Sequence, residues 1–100
     1  MNDYILFMHN DATDMAHAND DKRWNEYISM LRGSGQFEGG SSIGAGECLK
    51  KNAPATAAPV EVTGFIQVRA ASLQDAKRFL VGNPVYEAGG TVEVRELPRE

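Results

Sequence analysis

Cysteine occurs once in this chain of 100 residues, at Cys48. A single thiol excludes an intrachain disulfide and a multi-cysteine zinc site, and it fits a reducing compartment. Charge of one sign is never concentrated: the net charge is −4, with acids and bases interspersed. Binding DNA or RNA needs a dense basic surface, so no nucleic-acid partner is expected. Long apolar runs are missing too. Tyr4 to Met8 (YILFM) is too short for a signal-peptide core and follows Asp3 rather than a basic region. Nothing approaches the roughly 20 apolar residues of a membrane span, so no membrane partner is expected and the cytoplasm is the default location. The glycines at 33, 35, 39, 40, 44 and 46 form neither a GxxxxGK[ST] loop nor a strand-GxGxxG-helix, which leaves no nucleotide signature.

What is present describes one domain over residues 1–100, with an ordinary hydrophobic content of 42%. YILFMH (4–9) is apolar on both alternating faces, with Tyr4, Leu6 and Met8 on one and Ile5, Phe7 and His9 on the other. Such a strand is buried on both sides and belongs at the centre of a sheet. Residues 10–21 have a turn composition. In DKRWNEYISMLRG, Trp24, Tyr27, Ile28 and Leu31 recur at helical spacing. Asn19, Asp20 or Asp21 supplies the N-cap and Gly33 the stop.

Five glycines between Gly35 and Gly46 predict a weak edge strand or irregular hairpin over Phe37 to Ile43, continuing through Glu47 to Lys51. NAPATAAP reads as a loop. Val60, Val62, Ile66, Val68 and Ala70 then share one strand face, interrupted by Gly64, while Glu61, Thr63, Phe65, Gln67 and Arg69 share the other. Ser72 opens a second helix in an approximate capping box, with Leu73, Ala76, Phe79 and Leu80 as its apolar stripe, Gly82 as its end and a turn at Pro84. Thr91 to Leu97 alternates again.

The order is β-α-β-β-α-β, an α+β chain whose economical arrangement is a ferredoxin-like antiparallel sheet with both helices on one face. The other face then exposes Phe65 and one side of the first strand, a liability for a monomer. Two subunits stacking these faces would close a barrel, so a homodimer is expected.

YILFMH, the helix with Trp24, VTGFIQVRAASLQDAKRF, the Asn83-Pro84 turn and GGTVEVREL together resemble the YCII-related (DGPF-containing) domain family. The resemblance covers most of the chain and is clearest over residues 60–97. It implies a ferredoxin-like subunit, a dimeric α/β barrel, and a cleft near the carboxyl end of the first strand, bounded by the first helix and the turn after the second. It also implies an acid–base pair, a His on the first helix and an Asp before the turn proline. Here Trp24 and Asn83 stand at those positions, and the DGPF motif is replaced by NAPATAAPVEV. Trp transfers no proton and Asn is a poor acid or base.

His9 is therefore the remaining candidate for general acid or base, since imidazole is the side chain suited to proton transfer near neutrality; a hydrogen-bonded structural histidine is the bland alternative. Trp24 and Asn83 would shape a ligand pocket beside it, although Trp24 on an apolar stripe also reads as plain core. Arg69 is placed to take an anionic ligand or to pair with Glu61 or Glu93. His9, Asp11, Asp14 and His17 contain metal-ligand types, but their loop spacing matches no defined site, so neither metal nor cofactor is expected. Cys48 has no evident activating neighbour. The best-supported function is a small-molecule-binding dimer lacking the His/Asp pair. The alternatives are a small lyase- or isomerase-like enzyme using His9, and a protein-interaction module.

Overall fold

The computed structural model describes residues 1–99. Its architecture follows from one central strand. β1 (Asn2–His9) pairs antiparallel with β5 (Val62–Ala70) on one side and with β6 (Val92–Leu97) on the other. β2 (Phe37–Ser42) adds to the far edge of β5, giving the order β2-β5-β1-β6. The strand order and directions are consistent with the ferredoxin-like layout. Tyr4, Leu6 and Met8 are buried on one face of β1 and meet Ile66, Val68 and Ala70 of β5.

The helices cover that face alone. α2 (Asp21–Gly33) starts where the Asp20 carboxylate accepts the backbone N–H groups of Lys22 and Arg23, as N-capping requires. Its Tyr27 and Leu31 are buried against the sheet. α3 (Leu73–Ala76) is capped by Ser72, which accepts the Asp75 N–H, and tightens into a 3-10 turn over Lys77–Leu80. The Cα envelope is 46 × 39 × 18 Å; the thin dimension accommodates one sheet and one helical layer, and the opposite sheet face is uncovered.

Several local expectations are corrected. The polar stretch 10–21 contains a one-turn helix, α1 (Met15–Ala18), because Asp14 caps it by accepting the His17 N–H. Pro84 does not merely end a helix. It opens α4 (Pro84–Glu87), where its missing N–H costs nothing. NAPATAAP is not all loop, since β4 (Thr56–Ala57) pairs with β3 (Glu47–Cys48) in a small separate hairpin. Val60 lies outside β5 and is exposed, as is Leu73 of the second helix's stripe. The stripe fails at Leu73 because the helix is only one turn long before it becomes 3-10. No helix among the described residues is long and apolar enough to cross a membrane.

Candidate functional site

The apolar side of α2 divides into two rows. Tyr27 and Leu31 point into the core, whereas Trp24 and Ile28 are half-buried and continue a ridge that begins at Asp21 and ends at Arg32. This spacing of three and four residues keeps the ridge on one side of the helix. Between the ridge and the sheet edge lies a cleft of about 540 Å³, within the range of small-molecule sites. Met8, Phe37, Ile66 and Val85 give it apolar walls, and Ser42 lies on its lining at the sheet edge. β2 follows α2 through a short turn and runs back along it, so Phe37 lies toward the Arg32 end and Ser42 toward the Asp21 end.

Two glycines on the cleft lining allow their neighbours to approach closely. A Cβ at Gly64 would stand 3.2 Å from Met8 Cε and 3.3 Å from the Ser41 carbonyl oxygen. At Gly40 a Cβ would come within 2.5 Å of the Phe65 carbonyl oxygen, too close for backbone to tolerate. Gly64 thus interrupts the apolar face of β5 at the cleft lining, and Met8 and Ser41 pack into the place a side chain would take.

Trp24 is held rigidly at the cleft wall. Its indole N–H donates to the Ala18 carbonyl oxygen at 2.7 Å, and its ring meets Tyr27 edge-on with centroids 5.9 Å apart. Tyr27 in turn donates its hydroxyl to the Phe79 carbonyl. Burial pushes the Tyr27 phenol up to about 12, with the neighbouring Asn83 side chain acting in the opposite direction.

Asn83 is fully buried behind that wall. Its Oδ1 accepts the N–H groups of Val85 and Tyr86 at 3.0 and 3.1 Å, capping α4. Its Nδ2 lies by the Tyr27 hydroxyl but makes no hydrogen bond of good geometry among the described residues. The structure therefore places Trp24 on the cleft and Asn83 beneath it.

His9 is elsewhere. It lies on the uncovered sheet face, where its Nε2–H donates to Glu93 Oε1 at 2.6 Å. The sheet separates this pair from Trp24, so the three residues expected around one pocket are not brought together. Arg69 is also on the uncovered side. Its guanidinium pairs with Glu38 rather than with Glu61 or Glu93, and donates to the Gly35 carbonyl. Asp11 accepts both the N–H and the hydroxyl of Thr91, at 2.7 and 2.6 Å. These bonds hold its carboxyl below the usual carboxylate range. With His9 on Glu93, Asp11 on Thr91 and Asp14 on α1, no group of three metal-ligating side chains converges among the described residues.

Sequence reasoning missed Ile28, Arg32, Phe37 and Gly64 as site residues. The signal for them was the Trp24–Ile28–Arg32 row and the interrupted face of β5.

No known protein-family profile matches the chain, and no curated protein matches it in sequence. Among solved structures it shares the fold of a small α/β enzyme. That neighbour is 5-chloro-2-hydroxyhydroquinone dehydrochlorinase from Burkholderia phenoliruptrix, in complex with 2,5-dihydroxybenzoquinone. The match has a TM-score of 0.60 at 13% identity and covers 98% of this chain and 95% of that one.

Proposed function

We propose that this chain is a small-molecule-binding protein, YCII-related in kind, that takes its ligand in the cleft between α2 and the sheet. The observation that carries this reading is the pre-organised wall: an indole fixed by Ala18 and Tyr27 lines an apolar cleft of small-molecule size. Rigid aromatic surface around an apolar cavity is the usual basis of small-ligand affinity. A neighbour of the same fold was solved with a small ring compound, which supports a ligand of that size class. The absence of a titratable side chain at positions 24 and 83 favours binding over proton-transfer chemistry in this cleft. The test is NMR titration with a set of neutral aromatic fragments. Shifts should concentrate on the Trp24 indole N–H and the Met8 methyl; shifts confined to Phe7 and Phe65 would move the site to the other sheet face.

The active form in this reading is a homodimer, a two-sheet barrel in which the uncovered faces stack. Phe7 and Phe65 are direct cross-strand partners on that face, with Ile5 beside them, and His9–Glu93 and Asp3–Arg99 pairs surround this apolar centre. An apolar centre with a polar rim is the anatomy of a protein interface.

One observation favours a second reading, a lyase- or isomerase-like enzyme. His9 has a carboxylate partner in Glu93 that orients its ring, the arrangement by which imidazole bases are held. In a dimer this pair would lie between the two sheets. His9→Gln separates the readings, because it should leave cleft binding intact and abolish any turnover.

A further inference from the structure

The two ends of the cleft carry opposite charge. The ridge of α2 runs from Asp21 to Arg32, both on the cleft lining. Eleven residues of helix place their backbones about 16 Å apart. Arg23, Arg69, Arg95 and Arg99 each lie against a carboxylate. Arg32 and Arg78 have no carboxylate within 4.0 Å among the described residues, and of the two Arg32 alone lines the cleft. Its position in the last turn of α2 suits the helix dipole, and that alone would explain a cation there. The dipole does not account for its place at the end of an apolar trough next to Phe37.

From this arrangement we infer that the ligand is an elongated, flat, apolar monocarboxylic acid. Its carboxylate pairs with Arg32, and its apolar body lies along Ile28 and Trp24. This rests on the proposed cleft reading and adds the ligand's charge and orientation. The guanidinium presents paired N–H donors that match a carboxylate in a forked pair. One positive charge compensates one negative charge, so a dianion would be left partly uncompensated. The Asp21 carboxylate repels a second anionic group at the other end and sets the direction in which the molecule lies. Phe37 and Trp24 offer flat surface along the length between, and the ring of Trp24 cannot turn aside because its N–H is tied to Ala18.

The experiment is calorimetric titration of the full chain with three isosteres: biphenyl-4-carboxylate, biphenyl-4-methanol and biphenyl-4-methylamine. They share one apolar body and differ in charge. The carboxylate should bind about tenfold more tightly than the alcohol at low salt, as a charge-assisted pair at a partly exposed site allows. The ammonium compound should bind no better than the alcohol. Raising the ionic strength should narrow the preference, because the Arg32 side chain is exposed. Arg32→Gln should reduce the carboxylate-to-alcohol preference to about one. Arg32→Lys should keep part of the preference, since charge survives without the fork. Equal affinity of all three compounds, or tightest binding of the ammonium compound, overturns the charge assignment while the cleft reading stands. Binding of none of them overturns the cleft reading itself.

Discussion

The indole N–H of Trp24 reaches back six residues to the carbonyl oxygen of Ala18, at 2.7 Å. Ala18 is the last residue of α1, and its carbonyl lies at a helix end where acceptors lack intrahelical partners. One bond therefore satisfies a terminal acceptor, ties two helices together and fixes the wall of the cleft. Trp24→Phe keeps most of the apolar contact and loses this bond. It should cost about 1 kcal/mol, the usual net value of a hydrogen bond. Trp24→Ala should cost about 2–3 kcal/mol, below the value for a fully buried ring because the indole is partly exposed. Urea unfolding of both variants checks the pair; equal losses would mean that the ring contributes nothing beyond its hydrogen bond.

Asn83 stands where the family resemblance implies an acid, but its backbone-capping role is structural. Asn83→Ala removes both acceptor contacts at the start of α4 and leaves a small void. A loss of about 2 kcal/mol is expected, the upper range for an N-cap. Thermal and chemical unfolding measure it. A neutral result would mean that α4 is held by Pro84 and Val85 alone.

Two ionisations predict opposite edges of the pH–stability profile. The Tyr27 phenol is raised to about 12 in the folded chain, above its ordinary value of 10.0. Its contribution is complete below about pH 10 and is lost as pH rises toward 12. Tyr27→Phe should flatten this alkaline decline. The Asp11 carboxyl is lowered by Thr91 below its ordinary 3.8. Its contribution is present above that value and is lost as pH falls through the folded one. Asp11→Asn should flatten the acid edge. Melting temperatures across pH in the two variants check both signs.

The uncovered sheet face predicts association. Sedimentation at micromolar concentration should show a species of twice 10.9 kDa. Phe65→Glu should give monomers or insoluble protein, because it would place an unpaired charge opposite Phe7 in the interface. A wild-type chain that sediments only as monomer removes the barrel from the account.

Much of this fold was legible because its signals are periodic. β1 has apolar residues on both faces and is a central strand; β5 alternates; Ser72 caps its helix where the sequence places it, and Asp20 is the cap among the three candidates Asn19, Asp20 and Asp21. The misreadings fall where one residue decides a short element. Asp14 nucleates a single turn inside a polar run, and Pro84 reads equally as a stop or as a first helical residue. Such ambiguities are settled by tertiary contacts, which a local pattern does not contain. The site was half legible for a similar reason. Trp24 was found from its stripe, yet a stripe does not say which of its rows meets the core and which meets a cavity. His9 reads as a neighbour of Trp24 and Asn83 because it ends β1 beside the expected cleft, although strand alternation puts it on the face of Ile5 and Phe7. Arg32 carries no distinguishing sequence signal, because a cation in the last turn of a helix already suits the dipole.

On the proposed reading the ligand site is the cleft that Trp24 and Gly64 line. Trp24 is the single tryptophan, so its emission reports on that space alone. The most direct measurement is quenching of this emission by neutral 4-nitrobenzyl alcohol, in the wild-type chain and in Gly64→Val. The valine methyls would extend from a Cβ already 3.2 Å from Met8 Cε and fill the floor of the cleft. The account predicts saturable quenching in the wild type, reduced in Gly64→Val to the linear dependence of random collisions. Linear quenching of equal slope in both proteins, with Gly64→Val shown to be folded, would contradict it.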